Sequence, residues 1–242
     1  MKRVFLVIGL GLVLLAVGVL IKTARLTSMQ VQESPGIDTA IDGQEVAEHL
    51  ANSLRFRTIS DQDPAQSNAD EFVGLHEFLE ETFPRVHSTL RKELIGDYSL
   101  LYTWKGQEKG LKPILLLAHQ DVVGVEVETE KDWTYPPFEG RIAEGYIWGR
   151  GAMDFKVAVT GILEAVEMLL GGGFQPRPTI YLAFGHDEEV GGQRGASQIA
   201  DLLQSRGAEV EYVLDEGLVI TDGMCRGFSS LSPWWGSLRK AM

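Results

Sequence analysis

Short apolar segments alternate with longer amphipathic ones from residue 98 onwards, and this alternation constrains the fold more than any other feature of the sequence. Tyr98–Trp104, Ile114–Ala118 and Thr179–Gly185 are runs typical of buried strands. Phe155–Leu170 and Ala196–Arg206 carry apolar residues at helical spacing, and each is followed by glycine. Strands that alternate with helices predict an α/β domain whose central sheet is mainly parallel and flanked by helices.

Further segments extend this pattern on both sides. An amphipathic helix is predicted from Gln44, and a second from Asn68, which is a suitable N-cap residue. Arg141–Trp148 contains a Glu-Gly pair and predicts a small hairpin, and Glu211–Leu214 predicts another strand. We therefore expect the folded body of the chain to occupy residues 43–222.

An uninterrupted apolar run of 18 residues occupies positions 4–21. It is longer than the core of a cleavable signal peptide and close to the ~20 residues that cross a bilayer. We therefore expect an uncleaved signal anchor, a transmembrane helix, at residues 1–25 and a polar linker at 26–42. The expected location is a membrane, spanned once, with the body on the extracytoplasmic side. A cleaved signal peptide and a buried core helix are the alternatives.

The charge of the chain excludes one large class of partner. The net charge is −12, and residues 26–242 hold 18 basic against 34 acidic residues. A body this acidic would repel phosphate backbones, so we expect no nucleic-acid partner. Divalent cations suit it better. Because Cys225 is the single cysteine, an internal disulfide framework and a thiolate zinc finger are excluded.

Acidic and imidazole side chains cluster where the predicted strands end. His119 and Asp121 follow one strand and, two residues apart, face the same way. Three further groups share this position in the fold: Asp154 after a glycine-rich turn, Glu188 with Glu189 after the next strand, and Asp215 with Glu216 after the last. Taken alone, each group has a simpler explanation, as a polar strand end, a helix N-cap or a solvated acidic turn.

Taken together, these groups predict a metal site. In open α/β sheets, ligands bind outside the carboxyl ends of the strands, where all of these side chains are expected. One imidazole with several carboxylates forms an oxygen-rich set of donors. We therefore predict a pair of Zn²⁺ ions at this edge of the sheet, with Co²⁺ or Mn²⁺ as alternatives.

Five ordered motifs carry a resemblance to a known family. They are AHQDVV (118–123), W-x-x-P-P-F-x-G (133–140), GRGAMDFK (149–156), GHDEEVGG (185–192) and LDEG (214–217). The chain resembles the zinc metallopeptidase family of aminoacylases, carboxypeptidases S and G and succinyl-diaminopimelate desuccinylase. It is most similar to the branch of carboxypeptidase S and N-acyl-amino-acid hydrolases. The resemblance implies cleavage of amide or peptide bonds next to a free carboxylate, with small peptides or N-acyl amino acids as substrates.

The resemblance also implies a set of metal ligands and two catalytic residues. The implied ligands are His119 and Asp215 on one ion, Glu189 on the other, and Asp154 bridging both. Glu216 is the alternative to Asp215. The implied catalytic residues are Asp121, which orients His119, and Glu188, the general base.

The sequence departs from this family in its last part. The family's site uses a second histidine far towards the C-terminus, and neither that histidine nor the lid domain that supports a dimer follows LDEG. Residues 223–242 hold no acid and two of the five tryptophans, so we interpret this tail as truncated or frame-shifted. A dimer is expected only with the lid domain. The alternative to a hydrolase is a catalytically inactive, membrane-tethered fragment or a metal-binding module.

Overall fold

The computed structural model describes residues 2–25 and 41–216. The chain divides into two compact units, residues 1–40 and 41–242. Most of the predicted linker at 26–42, and all of the tail at 223–242, lie outside the described residues.

The first unit contains one described helix, α1 (Lys2–Ala24). No helix within residues 2–25 and 41–216 combines the length and the apolarity that a membrane crossing requires. The predicted transmembrane signal anchor at residues 1–25, and the single-pass membrane location inferred from it, are wrong by this criterion.

The second unit alternates strands and helices. Its helices are α2 (Gly43–Ser53), α3 (Ala69–Thr82), α4 (Pro84–Thr89), α5 (Lys156–Gly171) and α6 (Ala196–Ser205). Its strands are β1 (Arg91–Ile95), β2 (Ser99–Trp104), β3 (Ile114–His119), β4 (Arg141–Ala143), β5 (Tyr146–Trp148), β6 (Ile180–Gly185) and β7 (Tyr212–Leu214). The α/β class follows from this order. The predicted helices and strands lie close to their observed positions, whereas α4 and β1 were not predicted.

The central sheet is mixed, which corrects the prediction of a mainly parallel sheet. Its strand order is β1-β2-β6-β3-β7. The pairs β6–β3 and β3–β7 are parallel, whereas β1–β2 and β2–β6 are antiparallel. Only three residues separate β1 from β2, from Gly96 to Tyr98. A connection this short permits a hairpin but no parallel crossover, so the two strands must run in opposite directions.

Helices cover both faces of the sheet. Successive residues of β6 point to opposite faces: Leu182 and Phe184 belong to one core cluster, and Ala183 belongs to the other. The first cluster includes Leu163 of α5, and the second includes Leu203 of α6. Each fully buried Leu or Phe contributes about 1.5–3 kcal/mol to folding, so these layers hold the strand ends in fixed positions.

Two local predictions have distinct outcomes. The hairpin at Arg141–Trp148 is confirmed as β4–β5, with positive φ at Glu144 (56°) and Gly145 (80°), as a type I′ turn requires. Asn68 does precede α3, but its side chain makes no capping hydrogen bond. Its amide nitrogen instead donates to the Arg57 carbonyl oxygen at 3.0 Å, which fixes the loop that precedes the helix.

Candidate metal centre

The parallel part of the sheet brings three chain segments to one edge. His119 ends β3 and lies opposite Gly185, which ends β6. On the other side of β3, Leu116 pairs with Leu214, the last residue of β7. The residues that follow β6 and β7 therefore emerge beside His119. Asp154 reaches the same edge from the turn before α5.

Three carboxylates surround one nitrogen of His119. Its Nε2 lies 2.9 Å from Asp154 Oδ1, 3.9 Å from Glu188 Oε2 and 3.9 Å from Glu216 Oε1. The imidazole side chain is 3% exposed, whereas the side chains of Asp154 and Glu188 are 66% and 48% exposed. The cluster thus has a buried imidazole floor and a carboxylate rim that is open to solvent.

Three of these side chains have the spacing of metal ligands. His119, Asp154 and Glu216 each offer one ligand atom, and these atoms lie within 4.8 Å of one another. The sequence favoured Asp215 with Glu216 as the alternative, and the geometry brings Glu216 rather than Asp215 into this group.

Asp121 lies beneath the cluster and is fully buried. Its carbonyl oxygen and its Oδ1 lie 3.0 and 3.3 Å from His119 Nδ1. Both atoms are acceptors, so Nδ1 carries a proton and Nε2 is the nitrogen that faces the carboxylates. An imidazole held in this way presents its other nitrogen to a cation.

The sequence profile of the Peptidase family M20/M25/M40 matches residues 115–227, a stretch that contains this whole cluster. This chain belongs to the M20 family. The resemblance to zinc aminoacylases and carboxypeptidases that the motifs carried is thereby confirmed, and the M20 family is a family of peptidases.

Curated relatives agree with the assignment to the M20 family. The chain is 44% identical over 220 residues to "Probable carboxypeptidase S-like 2" of Dictyostelium discoideum, a match that covers 89% of this chain and 42% of the relative. It is 40% identical over 188 residues to the N-fatty-acyl-amino acid synthase/hydrolase PM20D1 of Xenopus tropicalis, covering 77% of this chain and 36% of the relative. The chain therefore spans less than half the length of these relatives.

A solved structure shares the fold. Human carnosine dipeptidase 1 superposes with a TM-score of 0.59 at 17% sequence identity, over 74% of this chain and 39% of that one. At this identity the likeness concerns the fold alone, and it agrees with the mixed α/β architecture.

Burial and mutual repulsion destabilise the ionised forms of several acids in this M20 centre. Burial and the charge of Asp154 raise the pKa of Glu189 to about 7. The pKa values of Glu188 and Glu216 are also raised, first by burial and then by neighbouring acids, although His119 opposes the rise. A divalent cation relieves this repulsion, so the donor set of one imidazole and several carboxylates fits Zn²⁺, Co²⁺ or Mn²⁺.

The carboxylates around His119 favour the protonated form of its imidazole. Burial lowers the pKa of His119, but the Asp121 hydrogen bond and the charges of Asp121, Glu188 and Glu216 outweigh it and raise the pKa to about 9. Burial alone would raise the pKa of Asp121, yet hydrogen bonds from His119 and Ser60 hold it below its ordinary value. The carboxylate beneath the centre therefore stays ionised.

For two residues near the centre the sequence predicted no role, although Lys156 ends the GRGAMDFK motif. Ser60 lies in a polar loop that we predicted only as a loop, and its Oγ donates to Asp121 Oδ2 at 2.6 Å. Lys156 is 1% exposed and donates from Nζ to the Ser53 and Phe56 carbonyl oxygens at 3.0 and 2.6 Å. His186, for which the motif implied no ligand role, is buried, with Nδ1 2.7 Å from Ser99 Oγ.

Proposed function

We propose that this chain forms the metal-binding part of a hydrolase that cleaves an amide or peptide bond next to a free carboxylate. One observation carries the proposal. The Nε2 atom of a nearly buried imidazole lies within 2.9–3.9 Å of carboxylates from three separate segments, at the carboxyl edge of a parallel ladder. If these acids were only solvated surface groups, we would not expect three of their carboxylates to converge on one imidazole nitrogen.

In the proposed centre, His119 and Glu216 would hold one ion and Glu189 would hold the other. Asp154 would serve both ions, since its Oδ1 lies 2.9 Å from His119 Nε2 and its charge acts on Glu189. We adopt Glu216 in place of Asp215 for its position in the ligand group. When bound, the zinc pair supplies a Lewis acid that activates water and stabilises negative charge on a carbonyl oxygen.

The protein side chains supply orientation and proton transfer. Asp121 keeps the proton on His119 Nδ1, so that Nε2 stays directed at the ligand group. Glu188 is the proposed general base. Its carboxylate is half exposed, its pKa is raised, and it lies 3.9 Å from His119 Nε2. It can take a proton from the attacking water and return it to the leaving amine.

The proposed substrates are small peptides and N-acyl amino acids. Two relatives bear the names of a carboxypeptidase and of an N-fatty-acyl-amino acid synthase/hydrolase, which supports both classes. A second candidate is a metal-binding module without turnover. It is favoured by the fact that, of the chain's five histidines, all within the described residues, only His119 belongs to the ligand group.

Substitution of the proposed base tests the hydrolase. Glu188→Gln keeps the shape of the side chain but cannot accept a proton, so we expect hydrolysis of N-acyl amino acids and dipeptides to fall at least about 100-fold. The zinc-to-protein ratio, measured by elemental analysis, should stay at the wild-type value. Glu128→Gln, on an exposed loop, is the matched control and should change neither quantity.

Each alternative outcome has a definite meaning. Wild-type turnover in Glu188→Gln would contradict the assignment of the base. A wild-type chain that binds zinc tightly but hydrolyses no member of the panel would favour the metal-binding module instead.

A further inference from the structure

The Asp121 carboxylate is a junction between several parts of the fold. Oδ1 lies 3.3 Å from His119 Nδ1 and accepts the Glu188 amide at 3.2 Å. Oδ2 accepts the Glu189 amide at 3.1 Å and the Ser60 hydroxyl at 2.6 Å. A single carboxylate thus holds the imidazole from β3 and the backbone of the turn that carries both glutamates.

Ser60 lies in a different part of the chain from the other donors to Asp121. Its contact spans 61 positions of sequence and comes from the segment between α2 and α3, whereas the other donors come from β3 and the turn after β6. It is also the shortest of the hydrogen bonds to this carboxylate. Hydrogen bonds from a hydroxyl to an ionised carboxylate are stronger than those between neutral groups.

The segment that carries Ser60 is itself firmly held. We call residues 56–60 the strap. Thr58 Oγ1 donates to the Gln120 carbonyl oxygen at 2.6 Å, and the Val122 amide donates to the Thr58 carbonyl oxygen at 3.0 Å. Ile59 forms a parallel bridge with Val122. Thr58 is fully buried and Ser60 is 8% exposed. The strap therefore runs alongside the loop that contains Asp121 and fixes the Ser60 hydroxyl in place.

The other end of the strap reaches the segment of Asp154. Lys156, two residues beyond Asp154, donates from Nζ to the Phe56 carbonyl oxygen at 2.6 Å. The strap is thereby attached to the His119 side of the centre through Asp121 and to the Asp154 side through Lys156. Ser60 is the only strap residue whose side chain touches the Asp121 carboxylate among the described hydrogen bonds.

We propose that Ser60 is a positioning residue of the metal centre: its hydroxyl fixes the Asp121 carboxylate and, through it, both His119 and the Glu188–Glu189 turn. The inference rests on the proposed function for its consequence at the metal, but the contact itself does not depend on metal. Without the hydroxyl, Oδ2 loses its closest donor and the carboxylate can turn away from the two amides.

Amide hydrogen exchange in the full chain, with chelator present, tests the contact independently of metal. In Ser60→Ala we expect the Glu188 and Glu189 amides to exchange about tenfold faster than in the wild type, because their acceptor is less fixed. Ser60→Thr keeps the hydroxyl and should restore protection to within about threefold. Ser88→Ala, at an exposed serine of α4, is the control for loss of a hydroxyl elsewhere.

Zinc affinity, measured by competition with a chelator, tests the consequence. Partners of this kind commonly change metal affinity 10–100-fold, so we expect Ser60→Ala to bind Zn²⁺ about tenfold more weakly and Ser60→Thr to bind it normally. Unchanged exchange of both amides in folded Ser60→Ala would overturn the inference, as would unchanged zinc affinity. Faster exchange in a chain whose wild type binds no zinc would support the positioning contact and overturn the proposed function instead.

Discussion

At the scale of single residues, the buried ammonium of Lys156 is the most unusual group outside the ligand set. Its Nζ contacts the carbonyl oxygens of Ser53, the last residue of α2, and of Phe56, the first residue of the strap, and no carboxylate among the described hydrogen bonds. Burial lowers its pKa to about 7. The amine thus serves as a cap for the last turn of α2, where carbonyl groups lack helical partners.

Replacing Lys156 by methionine keeps the length of the side chain and removes both hydrogen bonds. We expect Lys156→Met to lower the free energy of unfolding by about 2 kcal/mol near pH 10, where the folded-state amine is uncharged, because two buried carbonyl groups lose a donor. Urea denaturation in the presence of chelator measures this difference. A variant as stable as the wild type would show that the carbonyl groups find other donors.

The same variant gives a pH dependence with a definite sign. The folded-state pKa of about 7 lies below the ordinary value of 10.5, so the unfolded chain binds more protons between these limits. Wild-type stability should therefore rise with pH in this window, relative to Lys156→Met, by roughly 3 kcal/mol between pH 7 and 9.5.

Residue types alone predicted much of the centre but not its supporting contacts. His119, Asp154 and the acids after β6 and β7 could be found because charged groups at strand ends are costly without a function. The choice between Asp215 and Glu216 depends on which way the chain turns after β7, which spacing does not reveal. Ser60 is one polar residue in a polar loop, so nothing in the sequence indicates that its side chain contacts Asp121.

At the scale of elements, the turn after β6 determines where Glu188 and Glu189 lie. The Gly191 and Gly192 amides donate to the Glu188 and Asp187 carbonyl oxygens at 2.8 and 2.7 Å. Gly191 has φ 104°, a conformation that side-chain-bearing residues rarely adopt. The tight turn thus depends on glycine at this position.

Substitution of Gly191 tests this dependence against a matched helical glycine. A Cβ at Gly191 meets no atom within 4 Å, so Gly191→Ala adds only backbone strain, of about 1 kcal/mol. Gly161→Ala, at an open position within α5, should instead stabilise the chain by about 0.5–1 kcal/mol. Urea denaturation of both variants measures the two shifts, and equal signs would contradict the argument.

Element types were largely predictable, and strand directions were not. Apolar periodicity indicated α5, α6, β3 and β6, since these elements bury the residues that define their periods. Strand β1 was missed because its sequence, RKELI, carries three charged residues and remains partly exposed at the sheet edge. Missing this hairpin partner led directly to the wrong prediction of a mainly parallel sheet.

At the scale of the whole molecule, the acidic centre couples stability to pH and to cations. The folded-state pKa of Glu189, about 7, lies above its ordinary value of 4.5, so the folded chain binds more protons between these limits. Stability must then fall as pH rises through this window. The net charge of −12 adds repulsion of the same sign.

Thermal unfolding of the metal-free chain tests this coupling. We expect the Tm to fall by a few degrees between pH 5 and 7, and Zn²⁺ at pH 7 to reverse the fall by binding the folded state. Glu189→Gln cannot ionise and should show a smaller fall and a weaker response to zinc. A Tm that rises over this range in chelator would contradict the account.

Within the described residues, β7 is one of the two edge strands of the central sheet, and it is only three residues long with a single neighbour, β3. The proposed ligand Glu216 lies two residues beyond its end. A cation bound by both Glu216 and His119 would therefore link the end of β7 to the end of its neighbour β3. Because such coupling is reciprocal, any change that weakens the pairing of β7 must lower the affinity for the ion. Binding of the ion must in turn stabilise the pairing of β7.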